Sequence, residues 1–363
     1  MNHPDRSPAL VLDLGVVATA YQALTTALPG IALHYALKCN DFRPVLTTLR
    51  DNGCGFEIAS ATELDGLLAI GVDPAEVLYS NPVKPVRHIA RAYAAGIRQF
   101  VFDSEEELTK LAAAAPGSWV SVRLAARGID SDVPSEGKFG VDREAAVDLL
   151  LAARHFDLVP YGIAFHVGSQ MMRPQAWRTP LRAVKEIMEK LAADGVLLEL
   201  VNVGGGFPAR YDVPPPPLAE YGAVITEGLA ALPYEVRVVA EPGRALVAEA
   251  GTLVATVIGT ARRSGQRWIH LDVGAFNGLM ESLETGNRLR FPVHDSRRSP
   301  VRELCHLTGP TCDSQDTILF DVPLSVGLTT GDQVYLGCAG AYTTVYASTF
   351  NGFAVPDIRC APD

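Results

Sequence analysis

The sequence predicts an α/β protein: a (β/α)8 barrel over about residues 10–245, then a mostly β domain over 246–363. Three observations carry that expectation. Short apolar or β-branched runs recur before residue 245. Helical patterns separate them. Beyond Gly243 the helical periodicity gives way to strand-like runs with turn signals.

Eight runs read as barrel strands: 31–37, 55–59, 77–80, 99–103, 119–124, 162–167, 198–203 and 235–240. Before the first, 16–28 carries Val, Tyr and Leu at helical spacing and stops at Pro29-Gly30. Further helices are expected at 61–70, at 105–114 behind Ser104 with an acidic first turn, at 143–153 and at 177–193. A doubly wound open sheet is the alternative, but no GxGxxG or P-loop follows the first strand. A long polar loop, 125–140, and the stiff Pro214-Pro215-Pro216-Pro217 spacer before a helix interrupt the series after strand ends. In the second domain the strand-like runs are 246–248, 251–258, 268–271, 317–320 and 332–336, and the extreme N-terminus is a candidate to join them.

The chain is 48% hydrophobic and 20% charged, enough for a large core, and its formal net charge is −10. An acidic chain with no basic run is a poor nucleic-acid binder and favours cationic small molecules. The six cysteines, at 39, 54, 305, 312, 338 and 360, include no CxxC pair, so reduced thiols and no metal site are expected. Residues 1–6 lack a signal-peptide pattern, and no apolar run approaches the ~18 residues of a membrane helix. A cytoplasmic protein without a membrane partner is expected.

A barrel of this kind builds its functional surface from the C-terminal ends of its strands. There lie Lys38, Glu57 with Ser60, Asn81, Asp103, Arg123, His166 with Ser169, Gly204-Gly205-Gly206, and Glu241 with Gly243-Arg244. Burying an ammonium disfavours its charged form, so Lys38 at the tip of a buried strand either snorkels to water or serves as a nucleophile toward a carbonyl. The triple glycine offers unobstructed backbone N–H groups, suited to a phosphate or to a tight turn. Arg244 and Gly243 beside it favour the phosphate. Glu241 deep in the mouth can hold a proton on a pyridine nitrogen or form a structural ion pair. His166, with Gly168 and Ser169, leaves room for a planar ring. Together these residues point to pyridoxal 5'-phosphate.

In this order the motifs resemble the fold-type III pyridoxal-phosphate decarboxylases, the ornithine/diaminopimelate/arginine group, nearest its ornithine and lysine enzymes and their alanine racemase-like barrel. The resemblance covers about residues 10–355. It rests on Tyr35-Ala36-Leu37-Lys38-Cys39-Asn40, Gly55-Phe56-Glu57-Ile58-Ala59-Ser60, His166-Val167-Gly168-Ser169, Gly204-Gly205-Gly206-Phe207-Pro208, Glu241-Pro242-Gly243-Arg244, Gly309-Pro310-Thr311-Cys312-Asp313, and Tyr342-Thr343 through Phe353. It implies that Lys38 holds the cofactor, His166 stacks on its ring and Glu241 meets the pyridine nitrogen. Ser169, Gly206, Arg244 and Tyr342 would contact the phosphate, and Glu57, Glu63 and Arg123 would support cofactor and lysine. It also implies a homodimer with shared sites, in which the partner supplies Cys312 as proton donor to the α-carbon and Asp313 for the distal amine, while Phe350 lines the pocket.

The implied reaction is decarboxylation of a basic L-amino acid, ornithine first and lysine second. A decarboxylase of another, modified or carrier-bound amino acid and a non-catalytic regulator are the alternatives. One stretch departs from the animal enzymes, which carry a Tyr-Asp pair after a Phe-Asn step. Here Phe276-Asn277 is followed by Gly278-Leu279-Met280-Glu281-Ser282-Leu283-Glu284. Glu281 or Glu284 is therefore a candidate for reading the substrate's distal amine.

Overall fold

Sixteen strands occur in the computed structural model, which describes residues 7–125 and 137–362. The first, β1 (Ala9–Leu12), belongs with the C-terminal strands. The next eight are β2 (Ala32–Ala36), β3 (Gly55–Ile58), β4 (Leu78–Tyr79), β5 (Gln99–Phe102), β6 (Trp119–Leu124), β7 (Val159–Phe165), β8 (Leu200–Asn202) and β9 (Arg237–Ala240). They pair in parallel and in order, and β9 returns to β2 through Ala32↔Val239 and Leu33↔Ala240, closing the barrel. A closed parallel ring has no edge and is covered by its crossover helices, so its strands read as apolar runs without alternation. All four residues of β5 are buried, as are Leu78, Tyr161, Leu200 and Val239 at the barrel core.

Local chemistry sets the helix ends. Ser60, Ser104 and Asp142 cap the helices Ala61–Leu68, Glu105–Ala114 and Arg143–Ala153 by accepting from the N–H of Glu63, Glu107 and Ala145. Glu63 reaches back past the cap and accepts the Ala59 N–H, one residue before the bond of a capping box. Glu107 turns inward and holds the fully buried Lys84, whose Nζ also donates to the carbonyls of Asn81 and Val101 at 2.8 and 2.6 Å. Burial pulls the Lys84 ammonium down to about 8 despite Glu107. This network ties the loop after β4 to β5. Helices Arg43–Asp51 and Val86–Ala95 add to those expected.

The remaining strands are β10 (Gly251–Arg263), β11 (Gln266–Leu271), β12 (Val293–Asp295), β13 (Arg302–Thr308), β14 (Thr317–Ser325), β15 (Gln333–Leu336) and β16 (Asp357–Cys360). The long β10 pairs with β1 and β15 along its first half and with β11 along its second. β11 pairs with β13 in parallel, and β13 with β14 antiparallel. β1 also pairs in parallel with β16, so the first strand of the chain is built into this sheet.

The chain divides into two units: Ala18–Pro208 with Pro216–Gly243, and Met1–Val17 with Ala209–Pro215 and Arg244–Asp363. A contiguous cut near 245 therefore misses two segments of the β unit. Residues 7–17 join it through β1, and 209–215 join it through Tyr211 and Arg210. The run 246–248 is not a strand. It lies in a helical turn, Arg244–Val247, followed by a 3-10 turn, Ala248–Ala250, because a three-residue apolar run satisfies either conformation once buried. The expected polar loop after β6 falls largely on 126–136, and the N-terminal pattern on 1–6, both outside the described residues. No helix among the described residues is long and apolar enough to cross a membrane.

Candidate active site

Lys38 lies one step beyond β2, in a 3-10 turn, Leu37–Cys39. Its neighbours are pinned: the Tyr35 hydroxyl donates to the Asn40 carbonyl at 2.9 Å, and the Ala36 N–H donates to the Pro242 carbonyl at 3.0 Å. Gly243 packs against Cys39, where an added Cβ would sit 3.0 Å from the cysteine Cβ. The Lys38 side chain reaches solvent, as either reading of a lysine at the strand tip allows. Its side chain is 49% exposed, because the turn swings it out of the apolar strand.

Lys38 Nζ sits 4.0 Å from Glu57 Oε2. Glu57 is 2% exposed, and that oxygen has no hydrogen-bond partner. Burial pushes the Glu57 carboxyl up to about 8, Lys38 pulls against it, and Glu241 adds to the rise. A buried carboxyl that is protonated near neutrality, with an orphaned oxygen beside an amine, is a feature of a site built for a polar guest. Arg123, half-buried on β6, lies in the field of Glu241, Glu57 and Asp103.

Glu241, just past β9, is held by two donors on one oxygen. The Ser80 hydroxyl and Asn202 Nδ2 both reach Oε1, the latter at 2.7 Å. Asn202 also accepts the Gly204 N–H at 2.9 Å, so one side chain at the end of β8 aligns both the carboxylate and the glycine run. The Glu241 N–H donates to the Gly204 carbonyl at 2.9 Å. Gly204 (φ +70°) and Gly206 (φ +104°) occupy left-handed backbone. A Cβ on Gly204, Gly205 or Gly206 would collide with the carbonyls of Phe165, Glu241 or Gly168, so no side chain fits this cradle.

His166 accepts the Gly168 N–H on Nδ1 at 2.9 Å, which places the proton of the neutral ring on Nε2. Burial, reinforced by Arg123 and Lys38, holds it well below the usual imidazole range and so uncharged. Ser169 follows two residues after Val167, and the Met171 N–H donates to the Gly206 carbonyl at 2.9 Å, joining this loop to the glycine run. Behind both loops stands an aromatic wall. Trp177 and Phe207 stack at 5.1 Å, Trp177 Nε1 donates to the Val203 carbonyl at 3.1 Å, and the Tyr221 hydroxyl donates to the Met171 carbonyl at 2.8 Å.

The β unit carries the other candidates. Arg244 Nη1 donates to the Tyr211 hydroxyl at 2.7 Å and to Glu281 Oε2 at 2.9 Å, and Nη2 donates to Glu281 Oε1. The guanidinium also lies 4.9 Å from the Tyr342 ring centroid. Arg244 and Glu281 are each 3% exposed. Burial alone would lower the arginine, but Tyr211 and Glu281 outweigh it and hold it well above its usual range. Both carboxylate oxygens of Glu281 are thus engaged by Arg244, which does not suit Glu281 to receiving a substrate amine. Glu284, one turn on, is exposed. Cys312 and Asp313 are exposed in the loop between β13 and β14, and Phe350, 43% exposed, packs on Phe276 at 4.9 Å.

The sequence pointed to Asn81 but not Ser80 at the end of β4, nor to Asn202 and Tyr211. Ser80 and Asn202 lie at barrel strand ends, where the outward or inward direction of a polar side chain distinguishes neighbours only after folding. Among the described residues no cluster of His, Cys, Asp and Glu is gathered in the manner of a metal site.

The glycine cradle, the orphaned Glu57 oxygen beside Lys38 and the doubly held Glu241 fit a phosphorylated pyridine aldehyde. The pyridoxal-binding domain of the pyridoxal-dependent decarboxylases matches residues 14–248. A lysine/ornithine decarboxylase of Selenomonas ruminantium is 35% identical over 96% of this chain and 88% of its own. The crystal structure of a Vibrio vulnificus lysine/ornithine decarboxylase complexed with putrescine superposes with a TM-score of 0.90 at 34% identity, covering 98% of this chain and 94% of that one. A Paramecium bursaria Chlorella virus arginine decarboxylase bound to agmatine gives 0.92 at 28% identity, covering 99% and 97%. The cofactor is pyridoxal 5'-phosphate, the architecture is the expected barrel with a β domain, and the chain belongs to the pyridoxal-dependent decarboxylases.

Proposed function

We propose that this protein removes the α-carboxyl group of a basic L-amino acid, ornithine first and lysine second, releasing putrescine or cadaverine. It acts as a cytoplasmic homodimer whose sites are shared between subunits. The observation that carries the reading is the Asn202 bridge, which aligns the Glu241 carboxylate and the glycine cradle beside Lys38. The bound putrescine of the Vibrio vulnificus relative supports the choice of substrate.

Lys38 Nζ, half exposed on a pinned turn, is the amine that would hold the cofactor aldehyde. When bound, pyridoxal phosphate supplies the sink for the electron pair left as CO2 departs. Ser80 and Asn202 occupy Oε1 of Glu241, and the carboxylate they fix would hold a proton on the ring nitrogen. His166, kept neutral with its tautomer set by Gly168, presents an uncharged ring face. Glu57, beside Lys38, and Arg123, in the field of Glu241 and Glu57, would support the lysine and the cofactor. The Gly205 and Gly206 N–H groups, Ser169, Arg244 and Tyr342 would take the phosphate. Cys312 of the neighbouring subunit returns a proton to the α-carbon. Asp313 reads the distal amine with Phe350 lining the pocket, and Glu284 is the second acid for that task.

The test is purified protein incubated with ornithine, lysine, arginine and diaminopimelate, with CO2 and amine product quantified. Ornithine and then lysine are expected to turn over, and borohydride is expected to fix the cofactor on Lys38. Turnover of diaminopimelate in preference to both, or a Lys38→Ala protein with full activity, overturns the reading. Mixing inactive Lys38→Ala with inactive Cys312→Ala subunits is expected to restore part of the activity. A dead mixture of subunits that demonstrably exchange rules out the shared site.

A further inference from the structure

The loop carrying Cys312 has a rigid base. Asp316, fully buried, accepts the Ala275 N–H on Oδ1 at 2.8 Å, and on Oδ2 the Thr311 N–H at 3.0 Å and the Thr311 hydroxyl at 2.7 Å. The Gly309 N–H donates to the Asp316 carbonyl at 2.8 Å and closes the loop on itself. Cys312 therefore projects from a fixed backbone rather than from a floppy tip.

A second segment comes to meet it. Ser348 donates its N–H and hydroxyl to the Phe276 carbonyl at 2.9 and 3.1 Å, the Phe350 and Phe276 rings lie 4.9 Å apart, and Asn277 Nδ2 donates to the Ala354 carbonyl at 2.9 Å. Between these anchors Asn351 adopts left-handed backbone, φ 55° and ψ 16°. Asparagine is among the few residues besides glycine that take that conformation readily. The side chain points Nδ2 at Cys312 Sγ, 3.7 Å away. That is an amide donor facing a sulfur.

We infer that Asn351 is a positioning residue for Cys312. Its N–H fixes the direction of the thiol and stabilises the negative sulfur left after proton transfer. In that transfer the S–H bond breaks, a C–H bond forms at the α-carbon, and sulfur keeps the electron pair. The inference rests on the proposed role of Cys312 as proton donor. A neutral amide suits both protonation states, whereas a carboxylate of the same shape would repel the thiolate.

Two variants test this, Asn351→Gly, which keeps the left-handed backbone, and Asn351→Asp, which keeps the shape and reverses the charge preference. The readout is the rate at which iodoacetamide alkylates Cys312 in the cofactor-loaded protein near neutral pH, followed by mass spectrometry of the Cys312 peptide. Because the thiolate is the nucleophile, alkylation is expected to slow about threefold in Asn351→Gly and about tenfold in Asn351→Asp, with melting temperatures unchanged. The kcat is expected to fall in the same order with little change in KM. Alkylation rates equal to that of the parent in both variants overturn the inference. Alkylation needs no substrate, so a protein inert toward every amino acid would sink the proposed reaction and leave this result to stand or fall alone.

Discussion

Arg244 and Glu281 form a buried bidentate pair, Nη1 on Oε2 at 2.9 Å and Nη2 on Oε1. The same guanidinium meets the Tyr211 hydroxyl and the Tyr342 ring, so Glu281 holds an arginine of the Glu-Pro-Gly-Arg motif in place.

Removing one member of such a pair leaves an uncompensated buried charge. Glu281→Ala is expected to lose about 3–5 kcal/mol of stability in urea melts and to bind pyridoxal phosphate more weakly. If instead Glu281 reads the substrate, the variant will keep its stability and cofactor affinity while KM for ornithine rises steeply.

Asn202 is 1% exposed and serves Glu241 and Gly204 at once. Asn202→Ala strands a buried N–H and removes one donor from the carboxylate, which costs about 1–3 kcal/mol. We expect pyridoxal-phosphate affinity to fall about tenfold, and Asn202→Asp, which sets a second carboxylate against Glu241, to lose more. Equilibrium titration of apoprotein with cofactor measures both. Affinities matching the parent protein would show that Asn202 does not align the site.

His34 sits in the middle of β2, four residues before Lys38, 3% exposed, with Nδ1 3.4 Å from the Phe56 carbonyl and Nε2 3.4 Å from Arg237. Burial, then the Arg237 charge, lowers it to about 4. In the unfolded chain it titrates near the ordinary histidine value of about 6.5. The unfolded state therefore binds the proton first as pH falls. Stability is fully present above about 6.5 and is lost progressively toward about 4, by up to about 3 kcal/mol. Denaturation at about pH 7 and about pH 4.5 should show this loss, and His34→Asn should reduce it. An equal acid loss in the variant would assign the effect elsewhere.

Period and punctuation made much of the fold legible. Short apolar, β-branched or aromatic runs mark all eight barrel strands, even where a polar residue interrupts them, as Glu57 does in β3 and Ser121 and Arg123 do in β6. Ser104 and the acidic first turn after it mark a helix start because capping is local. Helices 43–51 and 86–95 were harder, since their apolar faces are short and interrupted by polar residues. Strands β12, β13 and β16 were harder still. Arg302 and Glu303 in β13, and Asp357 and Arg359 in β16, face solvent on a sheet with an exposed side, which breaks the apolar signal.

By itself, the sequence determined which chemical groups are available: Lys38, His166, the glycine run, Glu241, Arg244, Cys312 and Asp313, in an order that resembles one family. These follow from residue type and spacing along the chain. Only the tertiary structure decided who touches whom. It lifted Lys38 out of its strand onto an exposed turn, left the Glu57 carboxylate beside it with an orphaned oxygen, and chose Ser80 and Asn202 as the holders of Glu241. It gave Glu281 to Arg244 and turned Asn351 toward Cys312. Each of these pairs residues far apart in sequence, and their contact depends on backbone direction and burial that no local pattern encodes.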